Sequence, residues 1–304
     1  MKKQASVNDI CTTKVENDAE KIFTSAIFVP LTIACAAFYG LYLMVEDMRA
    51  NVSPPRPYYD QFKEIWWSGP IFFSLAYLLM VYFGPKLMES RKEFRIKPYI
   101  FVYNSYQCIL NFLTVAGMIY EVYSNPWFKY PWGNTVQRDI NGFRIAVWVW
   151  IHYNNKFSEL LDTLWMILRK KKEQLSFLHC YHHILMMWAW FFCVRIDTGG
   201  DVYFGACVNS FIHVIMYGYY TLALLNIPCP WKKWITNCQM IQFMACLSHS
   251  IFVVYNKNMP IALPLNQGFV MVNMLVLFSQ FYAKSYGGKK KGGSSDGNGA
   301  KKTE

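Results

Sequence analysis

Three histidines, His179, His182 and His183, stand in the run FLHCYHHILMM, which is otherwise almost wholly apolar. Their spacings of three and four place them on one face of a helix. Imidazoles grouped in this way suit either metal ligation or metal-free chemistry, in which an uncharged ring nitrogen serves as base or nucleophile. Three further groups could join them. The stretch KFSELLDT sets Lys156, Glu159 and Asp162 at successive steps of three, so each is adjacent to the next around a helix. NSFIHVIMYGYY places Asn209, His213 and Tyr217 at steps of four, and TNCQMIQ places Gln239 and Gln242 three apart.

The surroundings of these residues follow from composition. Of 304 residues, 54% are apolar, 18% aromatic and only 16% charged, against about 25% charged in ordinary soluble domains. Eight apolar segments are long enough to cross a bilayer core, which takes about 20 helical residues: 22–45, 65–83, 99–121, 144–168, 177–196, 203–225, 234–256 and 266–284. A lipid-spanning chain must satisfy its backbone internally, so the fold expected is all-α, a polytopic membrane helical bundle. Each polar group within a span is costly, and by default marks a site.

The net charge of +11 does not point to nucleic acid, because the basic residues gather in alternate connections. The N-terminus, the 84–98 loop, Arg169 to Lys172, Lys232 with Lys233, and the tail hold most of them. The richer side is cytosolic by the positive-inside rule, which puts both termini there. Nine cysteines lie mostly within spans and lack paired CxxC spacing, so no disulfide framework or zinc ribbon is read. Residues 1–21 form a polar N-terminus rather than a signal peptide, and 22–45 is expected to remain as an extra transmembrane helix. Residues 287–304 read as a disordered basic tail ending in KKTE, a dilysine-type retrieval pattern.

Each polar group also has a bland reading. The charged seam would serve as an interhelical ion-pair lock, His213 as a hydrogen-bonded core residue, and the two glutamines as helix glue. Cys180, His152 and His249 read as packing or structural residues. Among active readings, a di-iron desaturase or hydroxylase needs several histidine boxes, whereas this chain has six histidines and one box. A transporter would line a substrate or proton path with the same charges, but a box near one face differs from paired broken helices at the midplane. A single zinc stays open, although HxxHH lacks the HExxH arrangement with its general base, and beside it stands metal-free chemistry in which imidazole acts as base or nucleophile.

Taken in order and spacing, KFSELLDT, HCYHH, NSFIHVIMYGYY and TNCQMIQ resemble the KxxExxDT, HxxHH, HxxMYxYY and TxxQxxQ signatures of the very-long-chain fatty acid elongases, the ELO family of 3-ketoacyl-CoA synthases. The resemblance covers 65–286 and implies a seven-helix core. It further implies an endoplasmic reticulum enzyme that condenses a long acyl-CoA with malonyl-CoA, releasing carbon dioxide and coenzyme A without a metal or other cofactor. His182 would carry the acyl group as an acyl-imidazole. His179 and His183 would assist, and His213 would lie across the chamber. Lys156, Glu159, Asp162, Asn209, Tyr217, Gln239 and Gln242 would bind or support substrate.

Arg169, Lys170, Lys171, Lys232 and Lys233 stand where coenzyme A phosphates would arrive. The expected partners are membrane lipids, the ketoacyl-CoA reductase, dehydratase and enoyl-CoA reductase of the elongation cycle, and a second copy in a homodimer. Two features depart from the usual pattern: the extra helix at 22–45, which would sit outside the other seven, and the polar set His152, Asn154 and Asn155 before the first motif. The lack of tryptophan after His179, together with NSFIHVIMY, resembles the polyunsaturated-acyl subgroup.

Overall fold

The computed structural model describes residues 67–129 and 131–286. The expectations for 1–21, for the extra helix at 22–45 and for the tail at 287–304 lie outside the described residues. The described chain is helical, with α1 Ser68–Met88, α2 Lys97–Ser124, α3 Ile140–Ser158, α4 Leu161–Leu168, α5 Phe177–Ile196, α6 Val202–Leu224, α7 Lys232–Asn256 and α8 Ala262–Tyr286. A single 3-10 turn, Lys172–Gln174, leads into α5, and no strand occurs among the described residues.

Local chemistry sets several of the helix starts. Pro98 occupies the first turn of α2, where its missing N–H costs no helical bond. Asp139 caps α3 by accepting from the Gly142 amide at 2.9 Å, and Ser176 caps α5 by accepting from the His179 amide at 3.2 Å. The second cap fixes where the histidine helix begins, and hence which way its histidines face.

Packing closes six of the helical stretches into a ring. α2 lies along α3 and α6, α6 along α7, α7 along α8, α8 along α5, and α5 along α3. α1 stands outside that ring against α4 and α5. Gly117 lets α2 approach α3 closely, since a Cβ there would come within 2.2 Å of the Trp148 ring. Four helices, Ser68–Met88, Phe177–Ile196, Trp234–Asn256 and Ala262–Ser285, are long and apolar enough to cross a membrane. α2 is more polar because its inner face buries Asn104, Gln107, Asn111 and Thr114. Counting α3 and α4 as one interrupted rod gives seven helical rods among the described residues, packed as a multi-pass helical bundle.

That interruption corrects the expectation of one continuous helix over 144–168. At the break, the amides of Leu160, Asp162 and Thr163 reach back only three residues, to Phe157, Glu159 and Leu160. Ser158 donates its hydroxyl to the Asn155 carbonyl at 2.9 Å, so a side chain competes with the regular ladder. From α2, Gln107 donates to the Ser158 hydroxyl at 2.7 Å, and Tyr103 donates to the Ser158 carbonyl at 3.2 Å. The polar face of α2 thereby satisfies the groups that the break exposes.

Candidate active site

The break turns the KFSELLDT residues to different tasks. Lys156 and Glu159 pair at 2.8 Å, each side chain 1% exposed, behind the wall of a chamber inside the ring. Asp162, on the far side of the break, lines the chamber and accepts from the Tyr217 hydroxyl at 2.7 Å. One continuous charged seam was expected; the structure divides it between an internal ion pair and a wall carboxylate.

The chamber holds about 640 Å3. His179, His182, His183, Asn209, His213, Tyr217, Gln239 and Gln242 all line it. Within the box, the His179 and His183 rings are 4.5 Å apart and the His182 and His183 rings 5.5 Å apart, in edge-to-face arrangements. His179 Nε2 lies 2.8 Å from the Thr163 hydroxyl, and that hydroxyl lies 2.8 Å from Tyr77 Oη. α1, outside the ring, thus reaches the first histidine through one intervening side chain. His213 Nδ1 is 3.3 Å from Glu159 Oε1, and Lys156 Nζ donates to Asn209 Oδ1 at 3.0 Å.

The mouth of the chamber is bordered by Lys97, Arg169, Lys171 and Lys232, with Glu173 among them. Lys170 is absent from that border. It takes a left-handed conformation with φ 54° and donates to the carbonyls of Glu89 at 3.2 Å and Arg91 at 3.0 Å, tying the 89–96 connection to the end of α4. Lys170, expected near the phosphates with its neighbours, is engaged with these carbonyls. Lys233 lies on α7 beside Lys232.

Beyond Asn209 and Gln242 a second, narrow cavity of about 50 Å3 continues away from the mouth. Its lining is mainly apolar, including Met186, Trp190, Val202, Val253, Leu263 and Met271. From His182 to Cys193, which lies on its wall, α5 advances 11 residues, or about 16 Å at 1.5 Å per residue. His249 and Gln267 are polar members of this wall, 3.3 Å apart. The connection at 197–201 closes the end remote from the mouth. There Asp201 accepts from the amides of Gly133 at 2.8 Å and Asn134 at 2.9 Å, and from the side chain of Asn258 at 3.0 Å.

His152, read as structural, lies 2.8 Å from the Ser210 hydroxyl. Sequence reasoning missed Asn104, Lys97, Tyr77 and the role of Thr163. Asn104 and Gln107 on α2 carry a signal in their spacing of three, but they share no motif with the histidine box. Among the described residues, no three His, Cys, Asp or Glu side chains come together in a metal-holding group.

A closed ring of mainly apolar helices, with a histidine-walled chamber open at a basic mouth and prolonged by an apolar cavity, defines a multi-pass membrane protein built to hold an amphipathic substrate. Comparison with known proteins gives the family. Residues 63–294 match the model of the ELO: GNS1/SUR4 family. Very long chain fatty acid elongase 4 of Macaca mulatta is 34% identical over 227 residues, covering 72% of this chain and 71% of the relative. Very long chain fatty acid elongase 5 is 34% identical over 226 residues in Xenopus laevis and 36% over 227 residues in Tachysurus fulvidraco, covering 72% of this chain and 75% of each relative. The chain belongs to the ELO family of fatty acid elongases and is an acyltransferase of the 3-ketoacyl-CoA synthase type.

Proposed function

We propose that this chain condenses a long-chain, preferentially polyunsaturated, acyl-CoA with malonyl-CoA to give 3-ketoacyl-CoA, coenzyme A and carbon dioxide, through an acyl-imidazole on His182. The observation that carries the reading is the chamber itself. Its wall holds His179, His182, His183 and His213, its mouth is basic, and an apolar cavity continues behind it. The anionic coenzyme A moiety is held at the mouth by Lys97, Arg169, Lys171 and Lys232, while the acyl tail extends past Asn209 and Gln242.

In the first half-reaction, His182 attacks the thioester carbonyl, and the thiolate leaves with the imidazole proton as free coenzyme A. In the second, malonyl-CoA loses carbon dioxide and its enolate takes the acyl group as the N–C bond breaks; the imidazolate left on His182 takes up one proton from water, which restores its free form. Enolate charge needs hydrogen-bond donors in a dry site. The Asn209 carbonyl oxygen is occupied by Lys156, which leaves its amide N–H groups for the chamber. No metal or other cofactor takes part in this scheme, and membrane lipids bathe the outer helix faces.

The reaction is placed in the endoplasmic reticulum membrane with a cytosolic C-terminus, beside the ketoacyl-CoA reductase, dehydratase and enoyl-CoA reductase that would process its product, and with a second copy as a homodimer partner. The subgroup assignment rests on the motif residues around His179 and His213. Replacing Lys301 and Lys302 by serine tests the address: leakage to the Golgi is expected, and unchanged reticular staining would remove the retrieval role.

The mechanism is tested by incubating purified protein with long-chain acyl-CoA alone. Release of coenzyme A and an acyl adduct on the peptide containing His182, detected by mass spectrometry, are expected. If coenzyme A appears only when malonyl-CoA is also present, and no adduct is trapped, the nucleophile assignment fails and His182 becomes a general base in a one-step condensation.

A further inference from the structure

We infer that the narrow cavity behind the chamber recognises a hydroxyl group on the acyl tail, so that hydroxylated long-chain acyl-CoAs are substrates, with Gln267 Oε1 and Asn266 Oδ1 as the accepting atoms. The inference rests on the elongase reading of the chamber and adds a chemical class of substrate to it.

Two neighbouring amides of α8 stand in a wall that is otherwise mainly apolar. Hydrogen-bond capacity fixes which way each is turned, because a backbone carbonyl only accepts and so selects the N–H side of an amide that faces it. Gln267 Nε2 donates to the Cys246 carbonyl at 2.9 Å and lies 3.3 Å from His249 Nδ1. Asn266 Nδ2 donates to the Ala189 carbonyl at 3.0 Å and to Cys193 Sγ at 3.4 Å. The N–H side of each amide is thereby engaged with α5 or α7, and the oxygen is left over. Among the described residues, neither Gln267 Oε1 nor Asn266 Oδ1 receives a hydrogen bond. Both side chains are part-buried and line the cavity.

Beside Gln267 there is room instead of a side chain. Gly205 of α6 lines the same cavity, and a Cβ there would stand 3.7 Å from both Oε1 and Nε2 of Gln267, in ordinary contact. A saturated tail lying in that room would strip the two oxygens of water and offer them only methylene groups, which is unfavourable. A hydroxyl on the tail donates to one of them and offsets the loss. Its place on the chain follows from the helix. Asn266 is bonded to Cys193, which lies about 16 Å beyond His182 along the axis of α5, so the group recognised is far from the thioester.

The test compares acyl-CoAs of one chain length, unsubstituted or hydroxylated at different carbons, and reads equilibrium binding to the full-length protein in nanodiscs by calorimetry. A hydroxyl about 16 Å from the thioester carbonyl is expected to tighten binding about 5-fold over the unsubstituted chain, the size of one net hydrogen bond, and the gain should fall away as the hydroxyl is moved toward the thioester. In the double variant Asn266→Leu/Gln267→Met the ratio of hydroxylated to unsubstituted affinity should fall to one. Gly205→Ala, which the contact distance allows and helix propensity favours, should lower the same ratio by filling the room beside the Gln267 oxygen.

If no hydroxyl position binds more tightly than the unsubstituted chain, the inference is overturned and ordered water meets the two oxygens. A gain that persists in both variants overturns it too, since another group then makes the contact. If the double variant does not fold, the hydroxyl scan and Gly205→Ala decide. The elongase reading is judged separately, by chain extension with malonyl-CoA: its absence with every acyl-CoA would remove that reading and leave the binding comparison standing.

Discussion

Tyr217 donates its hydroxyl to Asp162 Oδ2 at 2.7 Å, joining α6 to α4 just beyond the helix break. Both residues line the chamber, so the bond fixes where a carboxylate may stand on a wall that must accept a negatively charged substrate. Tyr217→Phe removes the donor and leaves that oxygen without its partner. Losing a bond to a charged group costs about 1.5–3 kcal/mol. The expected outcome is a lower melting temperature together with a rise in KM for malonyl-CoA, since the released carboxylate would then repel the substrate. Unchanged kinetics would assign the pair to stability alone.

The mouth cations should separate into two kinds by simple mutagenesis. Arg169 and Lys171 border the chamber, whereas Lys170 is spent on the carbonyls of Glu89 and Arg91. Arg169→Gln and Lys171→Gln should raise KM for acyl-CoA several-fold at low ionic strength, with the difference shrinking as salt screens it. Lys170→Met should leave KM unchanged and slightly lower thermal stability, because it unties the exposed 89–96 connection from the end of α4. A KM effect at Lys170 equal to that at Arg169 would contradict the structural assignment.

Much of this arrangement could be read from spacing. The three- and four-residue intervals of His179, His182 and His183 survive directly as one face of α5, because periodicity in an uninterrupted helix is a local property. The same reasoning failed across Lys156, Glu159 and Asp162. Their steps of three assume a regular helix, and the break at Glu159 and Leu160 depends on the polar face of α2, some 50 residues earlier, which supplies Gln107 and Tyr103 to Ser158. The bonds of Lys170 are illegible for a similar reason: a lysine beside other lysines carries no sign that its left-handed backbone turns it onto neighbouring carbonyls. Tyr77 could not be found at all from sequence, since nothing in α1 marks one tyrosine as the partner of Thr163.

That contact from α1 yields its own prediction. Thr163 stands between Tyr77 Oη and His179 Nε2, 2.8 Å from each. Thr163→Val keeps the shape and removes both bonds, freeing the His179 ring; Tyr77→Phe removes only the outer one. If the chain of contacts orients His179, turnover should fall more for Thr163→Val than for Tyr77→Phe, by a factor of about 10, as for partners that orient functional histidines elsewhere. Restoring a hydroxyl with Thr163→Ser should recover most of the loss. Equal losses in the two variants, without recovery in Thr163→Ser, would show that packing rather than ring orientation is at stake.

The closed end of the ring should respond to acid through Asp201. Burial pushes this carboxyl up, but the His249 ring nearby, the Gly133 amide and the backbone and side-chain N–H groups of Asn134 together hold it below its ordinary value of 3.8. A carboxyl whose folded pKa is depressed contributes stability above its unfolded value and loses it as pH falls through the folded one. The Asp201 contribution should therefore be complete at neutral pH and decline from about pH 4 downward. Asp201→Asn keeps the shape but gives up the charge-assisted bonds, about 1.5–3 kcal/mol for a charged group. The measurement is thermal unfolding in nanodiscs from pH 7 to pH 3. At pH 7 the variant should melt well below the unaltered protein, and the gap should narrow toward pH 3 because the original carboxyl is by then losing its own advantage. A gap that stays constant over this range would mean that Asp201 acts through shape, and that the amide donors around it hold the loop equally well against a neutral side chain.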